Sequence, residues 1–201
     1  MHAARRLETD QRVRLHGLRW RDYEALLEIR GDSAAVRISY LEGEVELMTP
    51  SDEHEDDKTR SARLIEAWSE EMEVDLDGVG SWTLKRKAAE RGAEPDECYI
   101  VLAKHKARPS VPDFAIEVVR SSGGIDKLEI CRLLGVTEVW FWEGGALRFH
   151  VLRGSRYVRA TRSSLLPTLD PALIAKFMSR GTQPQAVREM RRALRGGRGR
   201  R

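Results

Sequence analysis

The chain has 201 residues, 33% of them charged, and its 35 Lys+Arg against 32 Asp+Glu give a formal net charge of +3. That length fits one domain of ~100–200 residues. Five Trp and several Val/Ile/Leu-rich runs argue against disorder, and no run nears the ~18 apolar residues of a membrane span. The charge is uneven: residues 188–201 hold seven Arg and one acid, a local +6, leaving −3 on residues 1–187.

Residues 1–19 read as a polar leader whose start, MHAARRLETD, has no apolar stretch of the kind a secretory signal needs. Trp20–Arg30 predicts a short helix with Asp22 near its start and Gly31 at its stop. Val36, Ile38 and Tyr40 alternate with polar residues, and Val45 and Leu47 do so after Glu42-Gly43, which predicts a hairpin. A long helix is expected over about Asp52–Met72, with Leu64, Ile65, Trp68 and Met72 on one face and acids in the first turn, where the helix dipole favours them. Trp82–Lys87 alternates as a strand, Ala88–Glu94 reads as a polar connection, and Cys98–Leu102 as the next strand. The unbroken apolar run Phe114–Val119 predicts a strand buried on both faces. Ile125–Leu134 is expected as a helix ending at Gly135, followed by strands Glu138–Trp142, Leu147–Leu152 and Tyr157–Ala160. Asp170-Pro171 opens a last core helix, an N-cap followed by Pro at the first helical position. Residues 181–201 read as a basic Arg-rich tail, flexible apart from a turn or two around Val187, Met190 and Leu194. The domain proper is thus 20–180, an α+β fold with a central mixed sheet flanked by helices. Cys98 and Cys131 form no CxxC pair and read as buried thiols in a reducing cytoplasm.

The residues that promise chemistry sit on the buried strand. Asp113 and Glu117 are four apart on it, on one side by period-2 alternation, and a buried carboxylate must be paired, protonated or metal-bound. Asp96, in Pro95-Asp96, opens the preceding strand, so neighbouring strands would let Asp96 and Glu117 converge. Two such carboxylates repel without a cation between them, and Mg²⁺ accepts one or two carboxylates plus phosphate oxygens. Lys127, ten residues beyond Glu117, could complete the site. Against this stand plainer roles: a turn for Asp96, a polar strand entrance for Asp113, an ion pair for Glu117 with Lys127, and a solvated strand face for Glu44 and Glu46. Lys85, Arg86, Lys87, Lys104, Lys106 and Arg108 are candidates for a phosphate-backbone surface, or simply a solvated rim. There is no Gly-rich phosphate loop ending in Lys-Ser/Thr and no Gly-x-Ser-x-Gly elbow.

The arrangement resembles the PD-(D/E)XK nuclease superfamily, and within it the restriction-endonuclease-like family called Uma-two. YLEGEVELMTP at 40–50 with His54 after it, EPDECYIV at 94–101, PDFAIEVV at 112–119 and DKLEICRLLGVTEVWFW at 126–142 carry the resemblance, over about Trp20–Met178. It implies a restriction-endonuclease-like core, and Mg²⁺, with Mn²⁺ as a substitute, held by Asp96 and Glu117 with help from Glu44. Lys127 would stand for a lysine displaced to the neighbouring helix, and His54 would support the site. The implied activity is endonucleolytic hydrolysis of DNA, with a homodimer by analogy. Gly123, Cys131 and Arg120 depart from the family pattern around these motifs. A non-catalytic nucleic-acid-binding or structural module on the same fold is the alternative.

Overall fold

A computed structural model describes residues 7–121 and 123–198; the first six residues of the leader, Ser122 and the last three of the Arg-rich tail lie outside them. The strands are β1 (Gln11–His16), β2 (Arg37–Leu41), β3 (Glu44–Thr49), β4 (Leu76–Gly80), β5 (Leu84–Arg86), β6 (Arg91–Ala93), β7 (Glu97–Val101), β8 (Phe114–Val119), β9 (Glu138–Glu143), β10 (Ala146–Arg153) and β11 (Arg156–Ala160). The helices are α1 (Trp20–Arg30), α2 (Asp52–Met72), α3 (Lys127–Leu134), α4 (Pro171–Met178) and α5 (Gln183–Arg198).

The strands form two sheets. The six-stranded sheet, ordered β11-β10-β9-β8-β7-β4, is mixed: β8 and β9 run parallel and its other pairs antiparallel. A parallel pair needs a crossover, and α3 supplies it. This is the expected central mixed sheet. The second sheet, ordered β1-β3-β2-β6-β5, is wholly antiparallel. It grows from the expected hairpin by strands on both sides.

Burial follows the alternation. Phe114, Ile116 and Val118 of β8 pack with Leu64, Ile65 and Trp68 of α2, and α4 and α5 extend that layer. Ala115 faces the other way, against Ile130, Cys131 and Leu134 of α3. On the second sheet, Trp20 and Tyr23 of α1 cover Ile38, Tyr40 and Val45. Gly92 on β6 is a glycine by necessity, since a Cβ there would lie 2.2 Å from the Tyr23 hydroxyl, and Tyr23 is locked between Trp20 and Tyr40.

The helix starts have explicit caps: Ser51 Oγ accepts the His54 N–H, Asp126 the Glu129 N–H and Asp170 the Ala172 N–H. α3 therefore begins at Lys127, two residues later than its apolar pattern suggested.

The tail is the main correction. Gln183–Arg198 is a continuous helix, with Ala186 and Met190 buried and Val187 and Leu194 packed against the α2 and α4 layer. Arg191 pairs with Glu70 and Glu71, and Arg195 with Glu71. Hydrogen bonds from Arg195 and Arg191 pull the Glu71 carboxyl down to about 2. Two of the arginines that made the tail look detachable thus fasten it to α2. Among the described residues no helix is long and apolar enough to cross a membrane.

Candidate active site

The proposed chemistry falls where one sheet faces the other. Antiparallel β7 and β8 pair Glu97 with Ile116, so Asp96, one residue earlier, stands opposite Glu117. On the second sheet Arg37 opposes Met48 and Ser39 opposes Glu46. β1 adds Arg12 opposite Met48 and Arg14 opposite Glu46. Directly opposed residues share a face, so these side chains look the same way. Lys127, the first residue of α3, bridges the sheets: its Nζ donates to Ser39 Oγ at 3.0 Å and lies 3.9 Å from Glu117 Oε1.

Asp96 is fully buried. Its Oδ2 accepts the Val118 N–H at 2.7 Å, while Oδ1 accepts from the Arg37 guanidinium and lies 3.1 Å from His54 Nε2. Burial opposes ionisation, but His54, Arg37 and the Val118 N–H outweigh it and hold the carboxyl down at about 2. His54 Nδ1 lies 3.1 Å from Asp10 Oδ2, and the other Asp10 oxygen accepts the Ser51 N–H. Burial alone would lower the His54 pKa; Asp96 and Asp10 on either side raise it instead. Asp10, His54 and Asp96 thus form a buried chain, with Arg37 alongside.

Glu117 is only 5% exposed, and its Oε1 is buried without a hydrogen-bond partner. Burial pushes its carboxyl up to about 7; Lys127 pulls it down and the facing Asp96 carboxylate pushes it further up. Between the unfolded value near 4.5 and about 7 the folded protein holds a proton that the unfolded chain lacks, so this group's contribution to stability falls as pH rises through that window. Glu117→Gln, which never ionises, is expected to match the metal-free wild type near pH 5 and to exceed it at pH 8.5, by on the order of 3 kcal/mol. Urea denaturation in EDTA at the two pH values measures this, and a pH-independent difference would show that Glu117 is ionised throughout.

Beside Glu117 and Lys127 opens a cavity of about 230 Å³, also lined by Arg12, Glu46, Asp126 and the glycines at 123 and 124. Among the described residues, no three His, Cys, Asp or Glu side chains converge as a ready-made metal cluster. The groups that do converge suit a hard divalent cation of the Mg²⁺ type. Glu117 offers a buried oxygen with no donor, opposite a second carboxylate, and Mg²⁺ requires no more than one or two carboxylates from the protein.

The other sequence candidates lie elsewhere. Glu44 pairs with Arg14, and it is Glu46, two residues on, that enters the cavity, accepting the Ile125 N–H at 2.9 Å. Asp113, about 13 Å along the strand from Glu117, accepts from Val101 N–H, Lys104 and His105, and so anchors the loop after β7. Lys104 is committed to that anchor, and Arg108 lies over Trp82 near Asp77. Arg86 donates to the Leu133 carbonyl and Lys85 lies 4.0 Å from Glu24. Lys87 and Lys106 are exposed. None of these six basic groups lines the cavity; among the described residues Arg37 meets Asp96, Lys127 lies nearest Glu117, and Arg12 lines the cavity wall. Sequence reasoning passed over Asp10, Arg12, Arg37 and Ser39 and read Glu46 as part of a solvated strand face, though Arg12 and Arg14 alternate with Val13 and Leu15 as a strand would.

A protein-family model described as Uma2, putative restriction endonuclease, matches residues 20–178. No curated protein matches the chain. Among solved structures, a putative nuclease belonging to DUF820 from Anabaena variabilis ATCC 29413 is similar in fold, with a TM-score of 0.54 at 10% identity; the match covers 80% of this chain and 99% of that one.

Proposed function

The chain belongs to the Uma2 family, and from that membership we propose that it is a metal-dependent nuclease hydrolysing phosphodiester bonds of DNA. The observation that carries the reading is Glu117 Oε1, buried and without a donor, opposite Asp96 and 3.9 Å from the Lys127 ammonium beside an open cavity. The family description and the structural relative, itself described as a putative nuclease, support the same chemistry.

Asp96 and Glu117 would hold Mg²⁺, or Mn²⁺ in its place, which when bound supplies Lewis-acid polarisation of the phosphate. The chain's own residues do the rest. Arg37 and His54 keep Asp96 ionised. Ser39 accepts a hydrogen bond from Lys127 and so aims the ammonium at the cavity. Lys127 would orient the attacking water or offset the negative charge that grows on the phosphate in the transition state. Glu46 fixes the turn before α3, and with it the position of Lys127.

One observation favours a second reading. Asp96 Oδ1 is already engaged by Arg37 and His54, as in a structural or non-catalytic binding module. The two readings separate on metal. The nuclease reading expects plasmid nicking in Mg²⁺ or Mn²⁺ that EDTA abolishes and Asp96→Ala lacks. It also expects a melting temperature that rises with metal concentration by mass action. No metal effect on melting, or equal nicking by wild type and Asp96→Ala, would overturn it.

A further inference from the structure

β1 lies before residue 20, outside the segment matched by the family model, yet it places a guanidinium in the cavity wall. Arg12 faces the same side of the sheet as Glu46 and Ser39. Its Nη1 donates to the carbonyl and hydroxyl of Ser121, at 3.1 and 2.6 Å, and its Nη2 lies 3.4 Å from Asp10 Oδ2. Its Nε is buried and has no partner. An unused N–H is costly in a buried setting unless something meets it. The same cavity is lined by Glu117 and Lys127 and, beside Arg12, by Ser121 and the glycines at 123 and 124. A Cβ at Gly124 would lie 3.3 Å from Glu46 Oε2 and 3.9 Å from Arg12 Cζ. A side chain at 124 would press on Glu46 and only touch the guanidinium at ordinary van der Waals distance.

We propose that Arg12 is a substrate-binding residue that donates to a non-bridging oxygen of the phosphate cleaved at Glu117 and Lys127, so that β1 completes the site. The proposal rests on the nuclease reading and adds a residue to it. A planar guanidinium with a spare donor suits a phosphate oxygen in a way a point charge does not. Its orientation is already set by Ser121 and Asp10, so little side-chain freedom is lost on binding. Asp10 has two tasks: one oxygen approaches both Arg12 and His54, and the other accepts the Ser51 N–H that starts α2. The N-terminal strand thus braces both the substrate side of the cavity and the far side of Asp96.

The experiment measures binding of a 20-base-pair duplex in Ca²⁺ across a salt series, together with Mg²⁺-dependent cleavage, for wild type, Arg12→Gln and Arg12→Lys. Loss of one phosphate contact lowers the slope of log K against log salt by about one. Arg12→Gln is expected to show that drop and a KM at least about tenfold higher. Arg12→Lys, which keeps the charge, should restore the slope. A purely structural Arg12 would instead lower the melting temperature with slope and KM unchanged, which overturns the proposal while leaving the nuclease reading intact. If Arg12→Gln does not fold, the KM of Arg12→Lys decides: a rise of at least about threefold supports the planar contact, and a KM equal to wild type overturns it. A wild type that neither binds nor cleaves the duplex brings down both.

Discussion

Lys127→Met is expected to reduce metal-dependent DNA cleavage by about 100- to 1,000-fold, the usual cost of removing one donor aimed at transition-state charge, while leaving duplex affinity within about threefold. Methionine keeps the unbranched stem that lines the cavity beside Glu117 and removes only the ammonium. Among the described residues that ammonium meets Ser39 Oγ at 3.0 Å and, more distantly, Glu117 Oε1 at 3.9 Å. Neither contact suffices to explain a cation at this depth. An optimised ion pair with Glu117 would close to hydrogen-bond distance, about 2.8 Å, and Glu117 would not then be pushed up to about 7. Lys127→Arg should recover little, because a planar fork cannot take the place of a compact ammonium between Ser39 and the cavity. Quench-flow cleavage of a supercoiled plasmid at saturating enzyme isolates the chemical step. A rate for Lys127→Met within threefold of wild type would reduce Lys127 to a structural partner of Ser39.

The pieces of this site differed in how far sequence could reveal them. The run FAIEVV could hardly be anything but a buried strand, and a Glu inside it demanded a partner, so Glu117 stood out. Asp96 and Lys127 followed from strand adjacency and helix position, and the register and the α3 cap bring both to Glu117. The boundaries of α2 were equally legible, because Ser51 and a long amphipathic pattern mark them. What failed were elements whose reason lies in tertiary contact. β1 is exposed along almost its whole length, so its charged alternation looked like a leader. β4 contains two glycines, and β6 is three residues built around the glycine beneath Tyr23. In α5, Gly196, Gly197 and the arginines resemble a solvated tail, until Glu70 and Glu71 on α2 are seen to receive two of them. The acid on β3 was misjudged for a related reason. Glu44 and Glu46 share a face, and only the position of the Ile125 N–H makes Glu46 the one that enters the cavity.

Arg37→Met is expected to cost about 3–5 kcal/mol of folding stability at pH 8, the range for breaking a buried ion pair by removing one partner. Arg37 is 5% exposed and serves fully buried Asp96 together with Glu55. Without it, Asp96 keeps only the Val118 N–H and His54, and the dehydration cost of its charge is no longer offset. The loss should be smaller at pH 5.5, and the signs explain why. His54 has a raised pKa in the folded protein, so the stability it contributes is complete below its unfolded value near 6.5 and fades as pH rises through the folded one. Arg37 is itself one of the groups that lower the His54 pKa, so its removal lets imidazolium form more readily between Asp10 and Asp96. At pH 5.5 the protonated ring replaces part of the lost guanidinium, and that compensation fades as pH rises through the folded value. Asp96 adds little to this difference, because its carboxyl, held at about 2, stays ionised across the whole range in the wild type. Guanidinium denaturation of both proteins at pH 5.5 and 8 measures the four stabilities. A loss below about 1 kcal/mol, equal at the two pH values, would mean that Asp96 is held by Val118 and His54 alone and that Arg37 is free for another task.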